Sequence, residues 1–189
     1  MANTGLRSFN STTGDILLGS RAIDENDSTY ANMLDFSGGD ETAYTYDLAG
    51  SDIPISSLVT GVEVSIHGDY DGTFDSVTLH ISISNDGQTG TYGTTIDMSL
   101  PNNSNTSTQV VGGSSNLWGL DFSDWVDISN LSVKIISDGN NSGVYIVQLF
   151  EVKATVYYDI LLPGKLKIKS GKVNLTNGKI NILWYLYMR

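Results

Sequence analysis

Hydrophobic and polar residues alternate with a period of two along much of the chain between residues 59 and 158. In two runs every second residue is apolar: Val62, Val64 and Ile66 in the first, and Val77, Leu79, Ile81 and Ile83 in the second. This period is typical of half-buried β-strands, which turn one side to a core and the other to solvent. We expect the two runs to be neighbouring antiparallel strands.

Weaker alternation predicts further strands at residues 94–98, 109–111, 131–135 and 145–158. In the last run strict alternation puts Val147, Leu149, Glu151 and Lys153 on one side. Turns rich in Asn, Asp and Gly separate the runs, and no segment keeps the 3.6-residue period of a helix. We expect residues 1–50 to be partly extended or irregular. Six to eight short strands predict an all-β fold, an antiparallel β-sandwich of jelly-roll-like kind.

A seven-residue unit repeats three times after Pro163, beginning at Gly164, Gly171 and Gly178. Each unit opens with Gly-Lys and continues with alternating apolar and polar residues, and Ser-Gly or Asn-Gly junctions favour tight hairpin turns. The repeats predict a short three-stranded β-meander, which needs a partner to cover its apolar side. We expect an assembly interface here, formed by Lys165, Leu166, Lys167, Ile168, Lys169, Val173, Leu175, Ile180, Ile182, Trp184, Tyr185 and Tyr187.

The charges divide the chain at the same place. Residues 1–163 hold all 21 acidic residues and four basic ones, a net charge of −17, whereas residues 164–189 hold six basic residues and no acid, a net charge of +6. We therefore predict an acidic β-sandwich domain over 1–162 and a basic assembly or anchoring segment over 163–189. The overall charge of −11 argues against a nucleic-acid partner.

No segment approaches the roughly 20 apolar residues of a membrane-spanning helix, and the first residues lack the pattern of a secretory signal. We expect a product that is made and kept soluble in a cytoplasm and has no membrane partner.

Residues with catalytic or metal-binding chemistry are scarce. The chain has no cysteine, which excludes disulfides and thiolate sites, and it has no Gly-x-Ser-x-Gly motif. We expect no catalytic residue, no cofactor and no enzyme activity. Three alternatives stay open: a metal held by His67 and His80, a loop calcium held by Asp69, Asp71 and Asp75, and a glycosidase carboxylate pair.

Aromatic residues are the other candidates for a binding surface. We interpret Trp118 and Trp125 as residues that close the end of the core. Stacking on sugar rings is the alternative role for the aromatic residues, and the predicted glycan contacts are Tyr44, Tyr46, Tyr70 and Tyr92.

Three stretches carry a family resemblance: residues 52–67, which include Ile53-Pro54 and Gly61-Val-Glu-Val64; residues 111–135, with Gly112-Gly113 and Leu117-Trp-Gly119; and residues 147–158, which end in Val156-Tyr-Tyr158. Their order resembles β-sandwich proteins and modules encoded by tailed bacteriophages and prophages. The resemblance covers about residues 28–158 and implies a structural or adhesive part of a virion. It carries no catalytic motif.

From these observations we expect a non-enzymatic virion component, such as a capsid decoration, fibre or tail-associated protein, anchored through its basic C-terminal segment. Its partners would be other virion proteins and further copies of itself, with a trimer as the expected homo-oligomer. The alternative is a carbohydrate-binding or host-receptor-binding module that contacts a surface glycan.

Overall fold

A computed structural model describes residues 1–17, 19, 31–35, 40–49, 53–54, 57–71, 76–101, 106–122, 127–137, 145–160, 174–176 and 179–181. Over these ranges nearly all regular structure is antiparallel β-strand. The predicted fold class, an antiparallel β-sandwich, is confirmed. Among the same residues no helix has the length and apolar character needed to cross a membrane.

Eleven strands build the sandwich within the described ranges. They are β1 (Ala2–Asn3), β2 (Arg7–Gly14), β3 (Ile16–Leu17), β4 (Ala31–Asp35), β5 (Glu41–Leu48), β6 (Ser57–Asp71), β7 (Ser76–Ser84), β8 (Ile96–Pro101), β9 (Ser107–Gly112), β10 (Ser132–Ser137) and β11 (Tyr145–Ile160). A 3-10 turn, Ile128–Asn130, precedes β10 and is capped by the Asp127 side chain.

The strands form two layers that share one strand. In sheet A the long strand β11 pairs with β6 on one side and with β4, β2 and β1 on the other, while β9 lies beyond β6 and β3 beyond β4. Sheet B has the order β2-β5-β10-β7-β8. Arg7 and Ser8 of β2 pair with β11, and from Phe9 onward β2 pairs with β5. The chain crosses repeatedly between the layers, as in a jelly roll.

The core lies between the two sheets and is built from the predicted apolar alternates. Those of β6 and β7 are fully buried: Val62, Val64, Ile66, Val77, Leu79, Ile81 and Ile83. The expectation that these two strands pair with each other is wrong, because β6 lies in sheet A and β7 in sheet B. Alternation shows which side of a strand is buried, and a sandwich buries the same side in either sheet.

A β-bulge corrects the predicted sides of β11. The register with β6 shifts between Leu149 and Glu151. Before the shift Val147 and Leu149 face the core; after it Val152, Ala154 and Val156 do. The extra residue reverses the alternation, so Glu151 and Lys153 lie on the outer side, not beside Val147 and Leu149 as predicted.

Residues 1–50 are more regular than predicted, since five strands lie within them. The longest, β2 and β5, consist mainly of Ser, Thr, Asn and Tyr with few aliphatic residues. Thr and Tyr have high β-propensity, but a search for alternating aliphatic residues passes over them. The described part of this region belongs to both sheets of the sandwich.

Trp118 anchors one end of the core, which confirms its predicted role; Trp125 lies outside the described residues. The Trp118 ring is buried and its Nε1 donates to the Val62 carbonyl at 2.8 Å. Gly112 lies beside the ring with φ +85°, where a Cβ atom would overlap the Val62 carbonyl and crowd the indole. The Gly-Gly and Leu-Trp-Gly motifs of the family resemblance therefore serve the core.

Two further strands, β12 (Asn174–Thr176) and β13 (Lys179–Asn181), form a separate antiparallel pair in which Leu175 lies opposite Ile180. They belong to the second and third repeats, so two of the three repeats pair. The other residues of the predicted interface lie outside the described ranges: Lys165, Leu166, Lys167, Ile168, Lys169, Val173, Ile182, Trp184, Tyr185 and Tyr187. The three-stranded meander and its role in assembly stay predictions.

Candidate functional site

The outer side of sheet B carries aromatic rings and hydroxyl groups around one lysine. The strand register arranges these residues in rows across the sheet, because residues opposite each other in antiparallel strands point to the same side. One row reads Thr13, Tyr44, Lys134 and Ser82, and the next reads Ser11, Tyr46, Ser132 and Ser84. We call this surface, together with Tyr92, the tyrosine face.

Tyr44 and Tyr46 owe their position to the alternation of β5. Ala43 and Thr45 are fully buried on the inner side, so the two tyrosines between and after them point outward and are half-buried. Two residues along a strand span about 7 Å, which sets the spacing of the two tyrosines along β5.

Tyr92 reaches the same surface from the connection between β7 and β8. Its hydroxyl donates to the Gln88 carbonyl at 2.9 Å and lies 2.8 Å from Ser132 Oγ. Its ring centroid is 5.9 Å from that of Tyr44, at an interplanar angle of 54°. Burial raises the pKa of the Tyr92 hydroxyl, with a smaller contribution from neighbouring Tyr44, so the group stays neutral at physiological pH.

The loop that carries Tyr92 is fixed to the Trp118 loop. Gly93 N–H donates to the Ile83 carbonyl at 2.8 Å, and Thr94 N–H donates to the Trp118 carbonyl at 2.6 Å. A Cβ atom on residue 93 would overlap the Trp118 carbonyl oxygen. The glycine therefore lets the two loops approach closely, and the position of Tyr92 depends on the core anchor.

Lys134 occupies the middle of the tyrosine face. Across the strands it lies opposite Tyr44 on one side and Ser82 on the other. Its Nζ stands 5.9 Å from the centre of the Tyr92 ring, within cation–π range. No carboxylate of the described residues pairs with it.

The row on the other side of Lys134, toward the start of β5, places Thr42, Ile136, His80 and Asp97 across four strands. His80 Nδ1 lies 2.7 Å from an Asp97 carboxylate oxygen, and the Asp97 side chain is mostly exposed. His80 lies on β7, directly beside β10, and Asp97 lies on the edge strand β8, about two strand spacings, or roughly 10 Å, from β10.

The structure brings together three of the four predicted glycan contacts. Tyr44, Tyr46 and Tyr92 lie on one surface, but Tyr70 is fully buried on the core side of β6, so the prediction for Tyr70 is wrong. A tyrosine between Asp69 and Asp71, just before Gly72, is typical of a turn, yet β6 continues through Asp71. Sequence reasoning missed Lys134 as a site residue. The sequence signal for Lys134 is that it is one of only four basic residues in the acidic region 1–163.

The structure excludes one of the two predicted metal sites and does not test the other. His67 points out from sheet A and His80 from sheet B, so a shared metal is excluded. Asp69 is buried and accepts a hydrogen bond from Thr106, whereas Asp71 is exposed and Asp75 lies outside the described residues. No group of three His, Asp or Glu side chains with metal-binding geometry occurs in the described ranges. The calcium site stays an untested prediction.

The outer side of sheet A, which we call the charged face, contrasts with the tyrosine face. Glu151 forms an ion pair with Lys153, and both side chains are less than one-fifth exposed. The Tyr157 hydroxyl donates to Glu63 at 3.3 Å, and His67 Nδ1 lies 2.9 Å from Thr108 Oγ1. The ionisable side chains named here each have a partner within the face.

No protein-family model and no curated protein matches the chain. Several solved structures are similar in fold. One contains N-terminal modules of endo-1,4-beta-D-xylanase 10B of Clostridium thermocellum complexed with xylohexaose, at 13% identity over 79% of this chain and 26% of that one, with a TM-score of 0.42. Another is chitosan-binding module 1 of a Paenibacillus chitosanase/glucanase, at 17% identity over 81% of this chain and 92% of that one, with a TM-score of 0.39.

A third is the enzymatically active domain of tailspike protein 4 of bacteriophage CBA120, at 12% identity over 85% of this chain and 19% of that one, with a TM-score of 0.40. The chain spans about a quarter of the length of the xylanase structure, and about a quarter of that of an arabinose-bound α-L-arabinofuranosidase structure that it also resembles. At these identities and scores, the similarity concerns the β-sandwich architecture only.

Proposed function

We propose that this protein binds a glycan on its tyrosine face and does not act on the glycan chemically. The observation that carries the proposal is the convergence of Tyr44, Tyr46 and Tyr92 on one solvent-facing surface of a sheet, among hydroxyl-bearing side chains.

The chemistry of the surface fits the chemistry of sugars. A sugar ring has apolar C–H patches and several hydroxyls, and tyrosine supplies an apolar ring with a polar handle. Small-ligand sites in general combine aromatic lining with a few placed polar groups. Side chains on paired strands are held more accurately than those on loops, and an open sheet surface accommodates an extended chain.

Titration of the full chain with a panel of oligosaccharides by calorimetry tests this proposal. We expect Tyr44→Ala to weaken binding of the best ligand at least about tenfold, because an aromatic contact with its buried area is lost. Tyr157→Ala is the matched control, since Tyr157 lies on the charged face; it should bind within about twofold of the wild type. Equal losses in both variants would contradict the tyrosine face as the binding site.

The absence of catalysis has its own test. The best-binding oligosaccharide is incubated with the protein and followed by mass spectrometry. We expect its mass distribution to stay unchanged, and shorter products formed in proportion to protein concentration would overturn the non-enzymatic part of the proposal.

A second candidate is compatible with the first, and it concerns the C-terminal segment. We propose that residues 163–189 anchor the acidic sandwich in an assembly, as in a virion component. The observation that favours it is the pairing of β12, in the second repeat, with β13, in the third. The segment that holds these repeats has a charge opposite to that of the sandwich.

Light scattering of the full chain at several salt concentrations tests the anchoring role. We expect a homo-oligomer in the wild type, and a monomer with an intact far-ultraviolet spectrum in the variant Leu175→Asp/Ile180→Asp. A wild type that is monomeric, or a variant that remains oligomeric, would contradict self-assembly through this segment.

A further inference from the structure

The two lysines that precede residue 163 are in opposite situations. Lys153 is paired with Glu151 on the charged face. Lys134, on the tyrosine face, has an aromatic ring beside its ammonium group and no carboxylate partner among the described residues. Among the described residues Lys134 therefore keeps an uncompensated charge in a region with 21 acids and four bases.

The position of Lys134 is central, not peripheral. Tyr44 and Ser82 flank it across the sheet, and the centre of the Tyr92 ring is 5.9 Å from its Nζ. The side chain is only partly exposed. A ligand that stacks on Tyr44 and Tyr92 must cover this ammonium group and remove water from it, which is costly unless the ligand supplies a negative charge.

We propose that the tyrosine face selects glycans that contain a uronic acid residue, whose carboxylate accepts hydrogen bonds from the Lys134 ammonium while neighbouring sugar rings contact Tyr44 and Tyr92. The inference rests on the proposed glycan-binding function and adds the chemical class of the ligand. A single ammonium group matches a single carboxylate, and charge-assisted hydrogen bonds are about twice as strong as neutral ones.

The negative charge of the rest of the sandwich narrows the range of acidic glycans that the tyrosine face can bind. Charges on exposed surfaces are screened beyond about 8 Å at physiological ionic strength, and the Asp97 carboxylate on this face lies nearer the β8 edge and is paired with His80. The local cation therefore determines binding at contact distance. The net charge of −17 over residues 1–163 repels a densely charged polyanion. We therefore expect the protein to prefer isolated uronates in otherwise neutral chains.

The experiment compares trisaccharides in matched pairs that differ at one position, where one member has a uronate and the other the neutral hexose. Pairs based on glucose, galactose and mannose are titrated against the full-length wild type, Lys134→Gln and Lys134→Arg. The control is Lys153→Gln, which changes the net charge by the same amount on the opposite face. A sulfated member of each series tests whether another anion substitutes for the carboxylate.

We expect the wild type to bind one uronate member at least about tenfold more tightly than its neutral counterpart. Lys134→Gln should abolish the preference, Lys134→Arg should retain most of it, and Lys153→Gln should leave it within about twofold.

Three results would overturn the inference. If the neutral member binds as tightly as the uronate and Tyr44→Ala weakens both, the glycan site stands but the selection of acids is wrong. If a sulfated member binds more tightly than the uronate, the assignment of a carboxylate is wrong. If no member of any series binds, both the inference and the proposed function fail.

Discussion

The two outer faces of the sandwich use similar residue types in different ways. On the charged face Lys153 has Glu151, Tyr157 has Glu63 and His67 has Thr108. On the tyrosine face the hydroxyl of Tyr92 is bonded, but the central cation faces only an aromatic ring among the described residues. The charges named on the charged face have partners within it, whereas the tyrosine face leaves its cation available to a ligand.

This difference shows on which face of the sandwich binding is to be sought. A surface whose charges are already paired gains little from a ligand, because each new contact replaces an existing one. A surface that combines exposed rings with an uncompensated charge gains both apolar area and an ion pair. The predictions below test this contrast, from the largest expected effect to the smallest.

Trp118→Ala should affect both faces and have the largest effect. The residue supports β6 of sheet A through the Val62 carbonyl and the Tyr92 loop through Thr94. Loss of a buried tryptophan typically lowers the free energy of unfolding by about 3–5 kcal/mol. Chemical denaturation followed by circular dichroism measures it, and a loss below about 1 kcal/mol would show that the loop is not an anchor.

Gly93→Ala should disturb the tyrosine face and leave the charged face unchanged. The new Cβ atom must push the Tyr92 loop away from the Trp118 carbonyl, which we expect to cost about 1–3 kcal/mol of stability and to weaken glycan binding. The control is Gly5→Asn, at a position with φ +71° and open space around it, where asparagine is tolerated. Unchanged binding in Gly93→Ala would mean that Tyr92 contributes nothing to the site.

The two lysines should respond oppositely in stability and in binding. Lys153→Gln leaves the partly buried Glu151 carboxylate without its cation, and we expect a loss of about 1–2 kcal/mol. Lys134→Gln removes no ion pair and should change stability by no more than about 0.5 kcal/mol. Parallel denaturant titrations measure both, and equal losses would contradict the contrast between the faces.

Tyr92→Phe should give the smallest effect, about 0.5–1.5 kcal/mol, through the lost hydroxyl contacts to Gln88 and Ser132. The effect should depend on pH. Burial raises the pKa of Tyr92 in the folded protein, so its stabilising contribution is complete below the unfolded value of about 10 and is lost as pH rises through the higher folded value.

The wild type should therefore lose more stability than Tyr92→Phe as pH rises above about 10. Tyr157, whose pKa is also raised, by burial and by Glu63, is present in both proteins and cancels in the difference. An identical pH dependence of the two proteins would contradict the assignment.

A strand is predictable from this sequence when aliphatic residues form its alternation of buried and exposed positions. The alternation predicts the buried sides of the aliphatic strands β6 and β7 correctly, because Val, Leu and Ile mark a core face directly. Strand β5 was missed although it provides Tyr44 and Tyr46, since its alternation is made of Ala, Thr and Tyr. The pairing of strands was not predictable, because the partner of a strand depends on contacts far apart in the sequence.

The site was predicted in composition but not in extent. Tyrosines were identified as candidates without a means of telling Tyr70, which faces the core, from Tyr92, which faces out. The only sign of the bulge in β11 is that the alternation of apolar residues is broken at that point. Lys134 became a candidate only when the register placed it between Tyr44 and Ser82.

Strand β11 has a mechanical consequence for a protein held by its C-terminal segment. It leads directly into that segment and is paired with β6 at fourteen residue positions along its length. A pull on residue 160 along the strand axis loads these hydrogen bonds together in shear instead of opening them one after another. A sandwich tethered in this way would keep its shape, and the ligand on its opposite sheet, while the tether is under tension.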